Sequence, residues 1–95
     1  MSRRLLKKIR NAIRTRNYDL THHAIDEMAE DGLSVDDIEH AVLTGKITKT
    51  EEDDLRGTRY TMIGIAADQR TGVGIVGRFI ELESYLIITV YAVTD

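Results

Sequence analysis

Apolar side chains along this chain change their spacing near its midpoint, and the change divides it into a helical half and a stranded half. In residues 3–16, Leu5, Leu6, Ile9, Ala12 and Ile13 recur every three or four positions, which predicts a helix with one apolar stripe on an otherwise basic surface. Asn17 to Leu20 reads as a short connector or one brief strand. Thr21 is a good N-cap, because its hydroxyl can accept from the unsatisfied amides of a first turn. It opens a second helix with Ala24, Ile25, Met28 and Ala29 inward, and Gly32 is placed to end it. Ser34-Val35-Asp36-Asp37 resembles a capping box with aspartate as its acidic member. A third helix follows, with Val35, Ile38, Ala41 and Val42 inward and Gly45 as its stop.

From Lys46 onward the period is two. Lys46–Glu52, Arg59–Ala67, Val73–Ile80 and Tyr85–Val93 alternate or are rich in β-branched residues, and turn-forming segments at 53–57, 68–72 and 81–84 separate them. The expected fold is therefore α+β: an N-terminal helix, a helical hairpin, then a four-stranded antiparallel sheet packed against them, as one domain over residues 1–95. Gly72-Val73-Gly74-Ile75-Val76-Gly77 matches a Gly-x-Gly-x-x-Gly pattern, but it follows a turn and precedes no helix. These glycines are expected to mark a bulge or a close backbone approach, not a nucleotide cradle.

Composition narrows the chemistry. The 95 residues contain no cysteine, which excludes disulfides and thiolate chemistry and points to a cytoplasmic setting. No apolar run has the length of a membrane span, and the basic N-terminus lacks the apolar stretch of a signal peptide. The net charge of −3 is the sum of sharply different segments: +7 over residues 1–16, −10 over 17–54 and zero over 55–95. The cations Arg3, Arg4, Lys7, Lys8, Arg10 and Arg14 lie on the first helix. They suit RNA or an acidic protein partner, unless that helix instead docks on the acidic helices of its own domain. His22 and His23 stand at the start of the second helix, where a neutral ring can serve as base, donor or metal ligand. Three histidines without cysteine do not make a typical structural zinc site, and neighbouring helix positions point apart, so no metal or other cofactor is expected. His40 follows Asp36 by four residues, the spacing of a surface ion pair.

One block carries a family resemblance: Thr21-His22-His23-Ala24, Met28, Gly32-Leu33-Ser34, Asp37-Ile38, Ala41 and Gly45-Lys46-Ile47, with Arg59-Tyr60 and Ile88-Thr89-Val90-Tyr91 later. It resembles a small bacterial family of uncharacterised domains that is grouped by distant similarity with RelE/ParE-type toxins of toxin–antitoxin systems. The resemblance runs from about Ile9 to Val93. It implies a RelE/ParE-like fold, a cognate antitoxin or other protein partner, and action on RNA or at the ribosome. Glu27 and Asp31 depart from it, standing where that pattern often has arginine.

A metal-independent endoribonuclease needs a base for the ribose 2′-hydroxyl, an acid for the leaving oxygen and positive charge on the phosphate. By residue type, His23 would be the base, Tyr91 or His22 the acid, and Arg59 and Arg78 the phosphate clamps. Each has a plainer reading: His23 as a half-buried helix residue bonded to a carbonyl, Tyr91 as a sheet aromatic, and the arginines as partners of acidic turns. If those hold, the chain is a non-catalytic interaction domain that binds a partner through its basic first helix or by strand addition at a sheet edge.

Overall fold

The computed structural model describes residues 3–53 and 57–93. The expected turn at 53–57 therefore lies mostly outside the described residues. Three helices come first: α1 (Arg3–Arg14), α2 (His22–Asp31) and α3 (Val35–Thr44). The strands are β1 (Tyr18–Leu20), between α1 and α2, then β2 (Lys46–Asp53), β3 (Gly57–Ile65), β4 (Gly72–Phe79) and β5 (Tyr85–Val93). β2 to β5 form the antiparallel meander that the period-two pattern predicts. The brief segment at 18–20 adds a fifth strand, parallel to β5, so the sheet is mixed and runs β1-β5-β4-β3-β2.

Local chemistry sets the helix boundaries. Arg16 takes a left-handed conformation (φ 59°), which turns the chain out of α1 and into β1. Thr21 accepts from the Ala24 amide at 3.0 Å, and Gly32 closes α2 in the left-handed region that glycine enters at least cost. Ser34 and Asp37 form the reciprocal capping box expected with aspartate. The same Asp37 carboxylate accepts from the Ala67 amide at 3.0 Å, tying the start of α3 to the β3–β4 turn.

The core lies on one face of the sheet. Ile9, Ala12 and Ile13 of α1, Ala24 and Met28 of α2, and Ile38, Ala41 and Val42 of α3 are buried together with Met62, Val73, Ile75, Tyr85, Ile87 and Val90. α3 comes so close to β3 that a Cβ on Gly64 would overlap the Ala41 carbonyl. Arg10 turns back along α1 and donates to Val42 O (3.3 Å) and Gly45 O (2.9 Å), satisfying carbonyls at the end of α3. The glycine-rich stretch behaves as expected. A one-residue irregularity in the β4–β5 pairing falls at Val76/Gly77, and a Cβ on Gly77 would meet the Tyr85 ring.

The opposite face is open. Register places Lys46, Ile63, Gly74 and Tyr91 in one row across β2, β3, β4 and β5, and Lys49, Thr61, Val76 and Thr89 in the next. In those rows only Gly74 is buried, beneath the Tyr91 ring; every buried apolar side chain named above faces the helices. Among the described residues, no helix is long and apolar enough to cross a membrane.

Candidate functional site

The open face collects most of the residues singled out from sequence. Glu51 pairs with Arg59 across β2 and β3, and Arg78 pairs with Leu86 across β4 and β5. The β3–β4 ladder ends with Tyr60 opposite Gly77, and Arg59 and Arg78 are the next residues beyond that end on the two strands. Both positions belong to the open face of the sheet. Arg59 has one carboxylate nearby, Glu51 at 3.7 Å, which Lys49 shares at 3.5 Å. Arg78 makes no ion pair among the described residues, and the Arg59 Nε is buried without a hydrogen-bond partner among them. Among the described residues, the acid paired with Arg59 comes from β2; most of the acidic 53–57 turn lies outside them.

Tyr91 and Thr89 share this face, as strand parity predicts, but in other rows. From the Arg78 position to the Tyr91 row is four residues along the strands, about 13 Å at the usual rise. The arginines and Tyr91 therefore do not surround one phosphate. The Tyr91 ring lies across Gly74, where any Cβ would overlap it, and so rests flat against the sheet.

His23 approaches from the edge. β1 covers β5 only from Tyr85 to Ile87, and beyond that point α2 takes over as the edge cover. Thr21 donates its amide to Ile87 O and its hydroxyl to Ile88 O, each at 3.0 Å. Glu27 then accepts from the Val90 amide (2.9 Å), and Asp31 from the Ala92 amide (3.0 Å). Sequence reasoning missed this role of Glu27 and Asp31, since an acid bound to a strand amide has no local signal. Helical steps of about 100° place His23 one turn before Glu27, and it is exposed. Its Nε2 is 3.3 Å from Glu27 Oε2 and its side chain is 66% exposed, so it is not the half-buried, carbonyl-bonded residue of the plainer reading. His22 is exposed as well. His40 does not pair with Asp36; its Nδ1 donates to Ile65 O at 2.7 Å, a link from α3 to β3.

The basic helix divides into two sets. Arg10 is committed to the α3 carbonyls, and the Lys8 ammonium sits 4.6 Å from the centre of the Phe79 ring. Arg3, Arg4, Lys7 and Arg14 are exposed. No ion pair among the described residues joins α1 to an acid, so the helix docks through its apolar stripe and not through charge. Beside it, Leu5, Leu6 and Ile47 floor a groove of about 390 Å³ between α1 and β2, with Arg3 and Lys49 on its rim.

Burial or local hydrogen bonds set three other polar groups. Burial, then the 2.7 Å bond to Glu39, raises the Tyr18 phenol above its ordinary value. Burial likewise raises Tyr85, whose hydroxyl has no partner among the described residues and whose ring meets Phe79 edge-on. Asp68 accepts from the Thr71 hydroxyl and from the Thr71 and Arg70 amides, and these bonds lower it to about 2. Among the described residues, no three histidine or acidic side chains cluster as a metal site.

Comparison with curated proteins and with solved structures finds no match. One family profile does match, over residues 20–92, a span that holds α2, α3, β2 to β4 and most of β5. The chain belongs to that family, a domain of unknown function (DUF4258).

Proposed function

We propose that this domain acts on RNA as a toxin-type, metal-independent endoribonuclease, with the open sheet face as its substrate surface. The observation that carries this reading is the placement of Arg59 and Arg78 just past the same end of the β3–β4 ladder on the open face, where paired guanidinium groups suit a phosphate held in bidentate fashion. An aromatic lying flat on a sheet, as Tyr91 does, offers a base a stacking surface. In this reading His23, with Glu27 at 3.3 Å to orient its ring, takes the role of general base, with Tyr91 or His22 as acid. The resemblance to RelE/ParE-type toxins read from the sequence suggests the same activity, with a cognate antitoxin and the ribosome as the partners it implies.

The test is incubation of labelled RNA with the protein in excess EDTA, beside His23→Ala and Arg78→Ala. Cleavage by the wild type that both substitutions abolish supports the reading. Intact RNA in every lane, with and without ribosomes, overturns it.

A second reading has its own observation. The exposed cations of α1 have no ion pair among the described residues and adjoin the groove floored by Leu5, Leu6 and Ile47. This favours a non-catalytic interaction domain that receives an acidic protein segment on α1. A pull-down that retains an acidic partner, lost on Arg3→Glu/Lys7→Glu, would select it.

A further inference from the structure

The two edges of the sheet are finished differently. At one, β1 and the carboxylates of α2 occupy the outward amides of β5. At the other, β2 is an eight-residue strand whose only backbone partner among the described residues is β3. A long free edge normally carries features that prevent pairing with another chain, and charged residues are one of them. The charges on β2 have a particular order: Lys46 and Lys49 come first, then Glu51, Glu52 and Asp53.

We infer that β2 pairs antiparallel with β2 of a second copy of this chain, in a register centred on Thr50. A twofold axis relating two antiparallel edge strands stands perpendicular to the sheet, so directly opposed residues lie on the same face of the joined sheet. Beyond the irregularity at Ile47/Lys49, the strand alternates regularly: Lys49 and Glu51 on the open face, Thr50 and Glu52 on the helix face. Centring on Lys49 sets lysine against lysine. Centring on Glu51 or Glu52 sets carboxylate against carboxylate. Centring on Thr50 alone sets Lys49 of each copy opposite Glu51 of the other, with threonine against threonine on the axis. Opposed like charges destabilise a strand pair and opposed unlike charges stabilise it, so this pattern selects one register.

The surroundings favour the same arrangement. Lys49, Glu51 and Arg59 already form a chain of contacts at 3.5 and 3.7 Å, which the second copy would extend across the axis. On the helix face, Glu52 of the second copy falls opposite Thr48, at the rim of the groove that Arg3 also lines. The acidic end of one β2 thus meets the basic start of the other copy's α1, and charge unbalanced within one chain becomes balanced between two. The joined sheet has ten strands, with both open faces, and both Arg59–Arg78 pairs, on one side.

Sedimentation equilibrium over a concentration series, with circular dichroism to confirm folding, tests the inference. The wild type is expected to be a dimer of 10.8 kDa chains. Lys49→Glu and Glu51→Lys should each weaken dimerisation by about tenfold or more, as two attractive pairs become repulsive. The double exchange, Lys49→Glu with Glu51→Lys, should restore it. Because the chain has no cysteine, Thr50→Cys supplies a reading independent of charge. It should form an intermolecular disulfide on mild oxidation much faster than Glu52→Cys. A monomeric wild type, a double exchange as weak as the single variants, or equal cross-linking at 50 and 52 would each overturn the proposal.

Discussion

Glu27 and Asp31 show how a residue's meaning depends on what faces it. In the sequence they are acids on a helix, at positions where the resembling family often has arginine. In the structure each carboxylate accepts a strand amide that would otherwise lack a partner. A hydrogen bond to a charged group contributes about 1.5–3 kcal/mol, so Glu27→Ala should lower unfolding stability by roughly that amount, while Glu27→Gln, which keeps an acceptor, should lose less. Urea denaturation measures both. Asp68 makes a second prediction. Its folded value of about 2 lies below its ordinary 3.8, so its contribution is fully present above pH 4 and is lost as pH falls through about 2. Asp37 is shifted in the same direction, chiefly by the Ser34 amide. The melting temperature of Asp68→Asn should therefore fall less steeply than that of the wild type between pH 4 and pH 2.

At the scale of elements, boundaries were readable wherever a cap or a turn residue marked them. The capping box at Ser34, the stop at Gly32 and the strands after Lys46 all stand where the pattern predicts. β1 was readable only as one of two alternatives, since three residues carry too little periodicity, and parallel pairing with a distant strand leaves no local trace. The packing of α3 on β3 was equally hidden. Gly64 looks like any strand glycine, yet the Ala41 carbonyl occupies the space of its side chain. Gly64→Ala should push α3 off the sheet and cost about 1–3 kcal/mol or more, read as a lowered denaturation midpoint. Arg10→Ala removes two bonds to the end of α3 and should destabilise by about 1–2 kcal/mol, whereas Lys7→Ala, on the exposed face, should stay within about 0.5 kcal/mol.

At the scale of the molecule, charge segregation becomes a surface property. Seven cations precede residue 17, but only part of that set is free for a ligand, because Lys8 and Arg10 serve the fold. Reversing Arg3, Arg4, Lys7 and Arg14 to glutamate should reduce both RNA affinity and the slope of that affinity against salt, by about one unit of slope for each phosphate no longer neutralised. Filter binding across a salt series reads both. A variant with Lys8 and Arg10 reversed would confuse weaker binding with weaker folding.

The order and type of the elements were set by the sequence alone, because spacing, caps and turn residues act within a few positions. The helix stripes were only partly so, since Ile25, Ala29 and Val35, expected inward, are exposed, and strand parity holds only between the irregularities at Ile47/Lys49 and Val76/Gly77. The candidate site was only partly legible. His23, Arg59, Arg78 and Tyr91 could be named by residue type, and Thr89 and Tyr91 could be put on one face by counting. Only the tertiary structure decided that Arg59 and Arg78 stand just past the same end of the β3–β4 ladder, that Tyr91 lies two rows away, and that His23 is exposed beside Glu27 on the helix that covers the sheet edge. Strand register and helix placement decide those relations, and both depend on interactions between residues far apart in the chain.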